Sequence, residues 1–189
     1  MAKIALCLSG QPRSFEEGYE YHKRNLLAHY DVDVFIHTWE FDGLEEYARL
    51  YDPIAMMVEK PLVGNFDEQY TNTPNAERHP PRFTVAMLHS IYKSCELKTT
   101  HELTDRFVYD WVVKSRSDYA LNVVIPFDEL DNTKLYIPNC RMVPERDFGN
   151  DQFAFGGSDV MNKRMSIYLN MNHFYEQNVQ MIGEDMMKA

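Results

Sequence analysis

KIALCLSGQPRS, residues 3–14, is the stretch on which the reading of this chain turns. Lys3–Leu8 is an almost unbroken apolar run of strand length, the pattern of a strand buried on both faces, and Ser9-Gly10-Gln11-Pro12 is the turn that ends it. Ser14 stands where a helix cap is expected, and Glu17 three positions on completes a capping box. The helix it opens is predicted to run to His29 or Tyr30. Such a unit with an arginine in its turn is a common phosphate site: Gly10 allows close backbone approach, and Arg13 offers a planar two-pronged donor. Taken alone, the stretch is equally a tight turn with a surface arginine. Its spacing matches neither a Walker loop nor a dinucleotide fingerprint.

The same alternation continues outward. Val32–His37 (VDVFIH) reads as a second strand ending at His37-Thr38, Leu44–Tyr51 as a short helix, and Ile54–Val58 as a third strand. Residues 61–81 have few aliphatics and read as a long surface loop, of a length that usually serves function. Phe83–Leu103 is predicted as a long amphipathic helix with Val85, Leu88, Tyr92, Cys95 and Leu103 on one face. Asp110–Lys114 is a fourth strand, Lys134–Ile137 and Gln152–Phe155 are shorter candidates, and Met161–Tyr175 is predicted helical. Strands alternating with helices imply a single α/β domain with a mostly parallel, doubly wound, Rossmann-like sheet flanked by helices. Ligands of such sheets bind at the carboxyl ends of the strands. Ser9–Arg13, His37-Thr38 and Arg116–Asp118 all fall at predicted strand ends, and this convergence points to a site.

Composition narrows the ligand. The 189 residues carry 29 acidic against 19 basic side chains, a formal charge of −10, with no basic stripe of the kind that holds nucleic acid. An acidic chain still binds an anionic nucleotide where a metal ion or a few arginines offset the charge locally. Cys7, Cys95 and Cys140 are dispersed and form no C-x-x-C pair, which fits buried reduced thiols. With no apolar leader and no long hydrophobic span, the expectation is a cytoplasmic protein without a transmembrane segment.

Three further clusters carry chemistry. In WVVKSRSDYAL, residues 111–121, Arg116 and Asp118 are alternate residues directed to one side. The aspartate could hold a divalent cation bridging a diphosphate, with Arg116 assisting; the plainer reading is a local ion pair. In NDQFAFGGSDVM, residues 150–161, Asp151 precedes a short strand and is placed to accept a proton from an attacking hydroxyl, while Ser158 is a candidate helix cap. In IGEDMM, residues 182–187, Glu184 is a second candidate carboxylate, though a charged tail explains it as well. His173 is a possible extra metal ligand or a structural histidine.

The order KIALCLSGQPRS, VDVFIHTW, YDWVVKSRSDYAL, NDQFAFGGSDVM resembles small bacterial and viral glycosyltransferase-like proteins linked to lipopolysaccharide and capsule synthesis. The resemblance lies in four blocks reaching from the N-terminus to Met161. It implies a GT-A-like fold with a divalent metal, Mn2+ or Mg2+, and transfer of sugar from a UDP- or GDP-sugar to a glycan, lipid or protein acceptor. Ser9, Gly10, Gln11, Arg13, His37 and Thr38 would line the nucleotide pocket, and Arg116-Ser117-Asp118 would occupy the place of the Asp-x-Asp metal motif. Arg116 replaces its first aspartate, which leaves Asp118 as the metal ligand; Asp151 or Glu184 would be the base. Two other classes compete. One is a sulfotransferase using a phosphosulfate nucleotide, suggested by Pro12-Arg13-Ser14 but opposed by Glu16-Glu17 at the helix start. The other is a non-catalytic sugar-nucleotide-binding module.

Overall fold

Alternate residues of the first strand go to opposite sides of one sheet, and both sides are covered. The computed structural model describes residues 2–73, 76–138 and 150–188. Within them β1 (Lys3–Ser9), β2 (Asp31–Trp39), β3 (Ala55–Glu59), β4 (Trp111–Ser115) and β5 (Phe153–Gly156) form a sheet in the order β3-β2-β1-β4-β5. The first four strands are parallel, and β5 runs antiparallel to β4. Helices are α1 (Phe15–His22, continued by a π-helical turn over Lys23–Leu27), α2 (Leu44–Tyr51), α3 (Phe66–Gln69), α4 (Pro81–Asp105), α5 (Ser158–Met165), α6 (Ile167–Glu176) and α7 (Gly183–Met186). The expected α/β class with a mostly parallel, helix-flanked sheet is therefore the observed one.

Ala5, Cys7, Phe35 and Val112 face the side covered by α4, α5 and α6, where Val85, Leu88, Ile91 and Met161 complete the core. Ile4, Leu6, Leu8, Ile36 and Val113 face the other side, packed with Phe15, Leu26, Tyr47 and Tyr51 from α1 and α2. Ile4 to Leu8 are wholly removed from solvent, and each large apolar side chain so buried contributes roughly 1.5–3 kcal/mol. Among the described residues no helix is long and apolar enough to cross a membrane.

Several local expectations change. Ser14 does not cap α1: it has left-handed backbone angles (φ 43°, ψ 38°) and no capping side-chain bond. A cap needs extended angles to aim its oxygen at the first turn, so the capping box with Glu17 does not form. β2 extends to Trp39, so His37 and Thr38 lie inside the strand. The stretch 61–81 contains α3 and ends in the first residue of α4, where proline at the start of a helix forfeits no hydrogen bond. Leu103 is exposed, and the last turns of α4 bury Lys98 and Glu102 instead. Among the described residues Lys134–Ile137 contributes one antiparallel bridge, Tyr136 to Phe155. The C-terminal helix starts at Ser158 and breaks at Ser166, whose hydroxyl bonds back to the Asn162 carbonyl. Cys140 lies outside the described residues.

Candidate functional site

A cleft of about 480 Å³ opens at the carboxyl ends of β1 and β4, where doubly wound sheets hold their ligands. One wall is the Ser9–Arg13 loop, with Ser9, Gly10, Gln11 and Arg13 all lining it. Gly10 has φ +99°, and nothing lies within 4 Å of the position a Cβ would take, so glycine is required by the backbone turn and not by crowding. The loop is tied down from behind. The Gly10 N–H donates to Ser90 Oγ at 2.7 Å, and Thr38 Oγ1 donates to the Gly10 carbonyl at 3.2 Å. His37 and Thr38 are fully buried and do not line the cleft. Their observed part is to support the loop.

The cleft is cationic on its polar side. Arg13, Arg82, Lys114 and Arg116 line it, with Asp151 as the acidic residue. Arg13 is exposed and makes no ion pair among the described residues, whereas Arg82 is paired with Asp67. Lys114 ends an apolar strand run and is almost wholly buried; its ammonium donates to the Asp151 carbonyl oxygen. Burial pushes its amine down to about 7, against the opposing pull of the Asp151 charge. Arg164 of α5 is half-buried, its Nη2 donating to the Asn150 carbonyl at 3.2 Å, and desolvation lowers it to about 10. Trp39, Pro61, Leu62, Phe83 and Met87 supply an apolar wall, the mixture typical of small-molecule sites.

Arg116 and Asp118 form a two-pronged ion pair, Nε to Oδ1 at 2.9 Å and Nη2 to Oδ2 at 2.5 Å. This is the local pair that the sequence allowed as the plainer reading. Arg116 lines the cleft and Asp118 does not. The serines of the SRSD segment are buried and anchored: Ser115 Oγ meets His22 Nε2 at 3.0 Å, and Ser117 Oγ meets Tyr47 Oη at 2.6 Å. His22 is itself held by Tyr51 at 2.8 Å, and burial pushes it down to about 4, so it is neutral at pH 7. Gly18 of α1 abuts the same segment; a Cβ there would lie 1.8 Å from the Ser117 carbonyl oxygen. An Mn2+ or Mg2+ ion needs several free oxygens. A single carboxylate with both oxygens engaged by a guanidinium does not fit that requirement.

Asp151 is brought to the cleft by the start of β5. Asn150 Oδ1 accepts the Gln152 and Phe153 N–H groups at 2.8 and 2.9 Å, and the Arg116 N–H donates to the Gln152 carbonyl at 3.0 Å. The 150–152 turn and the SRSD segment are thus fastened together. Gly183 backs onto Asp151, with its would-be Cβ 3.2 Å from Oδ2. Glu184 is half-buried beside it and does not line the cleft. His173 is exposed on α6 and bonds Gln177, away from the cleft.

Lys114, Arg82 and Trp39 were not singled out from the sequence. A lysine within the apolar run WVVK is a signal for the first, because a lysine is rarely buried unless its charge is used. Nothing local marks Arg82 or Trp39, which reach the cleft only through the docking of α4 and the end of β2. Compared with known proteins, the chain matches no family model and no curated sequence.

Proposed function

We propose that the cleft binds the diphosphate of a nucleotide-activated sugar and that the protein is a glycosyltransferase. The observation carrying this reading is the meeting of Arg13, Lys114 and Arg116 with one carboxylate, Asp151, beside an apolar wall at the sheet's carboxyl edge. Trp39 and Phe83 offer faces for a base or sugar ring. An acceptor hydroxyl attacks the anomeric carbon, the bond from that carbon to the diphosphate oxygen breaks, and Asp151 takes the hydroxyl proton in an inverting reaction. The cations neutralise the departing diphosphate, work that preorganised side chains do well in a water-poor site. A second reading, a sugar-nucleotide-binding module without turnover, is favoured by the closed Arg116–Asp118 pair. The phosphosulfate reading gains no support, since Glu16 and Glu17 occupy the first turn of α1.

Calorimetric titration with UDP- and GDP-sugars, paired with an assay of released nucleoside diphosphate, tests the proposal. Transfer or slow hydrolysis is expected, with Asp151→Asn lowering turnover about a hundredfold or more while binding persists. Tight binding with no release under any acceptor would leave the module reading, and no binding would end both.

A further inference from the structure

Behind the cleft, on the α4 side of the sheet, His37, Glu59 and His89 converge from three elements. His37 lies near the end of β2, Glu59 ends the adjacent β3, and His89 comes down from α4. His37 Nε2 and His89 Nε2 stand 2.8 and 2.7 Å from the same oxygen, Glu59 Oε2, and the three ligand atoms lie within 4.8 Å of one another. We propose that this trio is a binding site for a divalent transition-metal ion of the zinc class, a site distinct from Asp118.

Two imidazoles and a carboxylate with a remaining open position form the donor set of many zinc and ferrous sites, whereas magnesium and calcium prefer all-oxygen sets. Tetrahedral ligands at about 2.0–2.2 Å from zinc sit about 3.3–3.6 Å apart, so each imidazole nitrogen needs to draw back from Glu59 Oε2 by about 0.5–0.9 Å. On the His37 side the outer shell suits the exchange, while His89 Nδ1 is buried with no hydrogen-bond partner among the described residues. Ser90 Oγ lies 2.7 Å from His37 Nδ1, 2.7 Å from the Gly10 N–H and 3.3 Å from the His37 carbonyl. It can donate to Nδ1, leaving the proton on Nε2 facing Glu59. It can also donate to the carbonyl and accept from Nδ1–H, leaving the Nε2 lone pair free for a metal. Neither state strands a hydrogen-bonding group of Ser90. Trp39 stacks on His89, with ring centroids 5.8 Å apart and planes at 20°, and fixes that ring. The two histidines are buried and Glu59 is partly open, which gives an ion a route in from solvent.

The site also adjoins the cleft through shared parts. Ser90 holds both His37 and the Gly10 N–H, and Trp39 lines the cleft while stacking on His89. An ion here would stiffen the loop that carries Arg13. The assignment stands on the donor geometry alone and does not depend on sugar transfer.

Protein stripped with chelator is titrated with Co2+, followed by visible absorption, and with Zn2+, followed by calorimetry. One equivalent is expected, with a nitrogen- and oxygen-ligated cobalt spectrum lacking thiolate charge transfer. Glu59→Gln and His89→Gln, each checked for native circular dichroism, are expected to weaken Zn2+ binding at least tenfold. Glu59 is partly exposed at a strand end, so its variant keeps the test valid if changing His89 disturbs packing. Failure of the wild-type protein to bind an equivalent, or binding unchanged in both variants, overturns the assignment.

Discussion

Lys114 carries a conflict between stability and binding within one side chain. Its amine is buried, bonded to the Asp151 carbonyl and held at about 7, against about 10.4 in an unfolded chain. Between those values the unfolded chain binds more protons, so this group makes stability rise with pH across that window. Its destabilising effect is greatest below pH 7. Lys114→Met removes the buried charge at similar volume and is expected to stabilise the fold by about 1–3 kcal/mol, read as a higher Tm and a flatter pH dependence. The same change is expected to weaken sugar-nucleotide binding about tenfold or more. Wild-type affinity should decline as pH rises above 7, because the ammonium is then no longer preformed, while the Met variant shows no such decline. A loss of stability in Lys114→Met, with unchanged binding, would remove Lys114 from the site.

At the scale of elements, α1 is positioned by what it lacks. Gly18 lets the helix touch the Ser117 carbonyl, and no side chain fits between them. Gly18→Ala favours the helix by about 1 kcal/mol through propensity, but it must push backbone against backbone. Overpacking of this kind costs about 1–3 kcal/mol or more, so a net loss is expected, seen as a fall in urea midpoint. Because the displaced segment carries Arg116, ligand affinity should fall with it. A variant as stable as the parent would mean that α1 can shift without moving the SRSD turn. The sequence signalled α1 and β4 by their patterns, but its capping box was not realised. Ser14 takes a left-handed conformation that a sequence motif alone does not reveal.

Across the whole molecule, a buried polar knot joins α4, α5 and the entry to β4. Lys98 Nζ donates to Glu102 Oε2, Ser158 Oγ and Asn162 Oδ1, each at 2.7 Å, and the Tyr109 N–H donates to Glu102 Oε1 at 3.0 Å. Ser158, expected from its sequence position as a cap, serves this network, and Gly157 takes the cap position. Lys98→Met strands a buried carboxylate and is expected to destabilise by about 3–5 kcal/mol in chemical unfolding. The double variant Lys98→Met with Glu102→Leu should recover much of that loss. If the double variant is no better than the single, the knot is needed for packing and not only to pair the charge.

The sequence by itself determined the layered architecture, because strands buried on both faces must be continuous apolar runs and KIALCL, VDVFIH and WVVK are such runs. It also placed Ser9–Arg13 and Arg116 near one edge, since the carboxyl ends of parallel strands share that edge; Asp151 precedes its strand and reaches the same edge because β5 runs antiparallel to β4. Tertiary structure alone decided which side chains face the cleft. His37 and Thr38 fell inside β2, Asp118 closed onto Arg116, and Arg82 and Trp39 joined the wall. The trio His37, Glu59 and His89 was likewise out of reach of local reading, because its members are 22 and 30 positions apart. Periodicity reports which face a residue takes within its own element. Only the docking of α4 across β2 and β3 determines which of those faces meet.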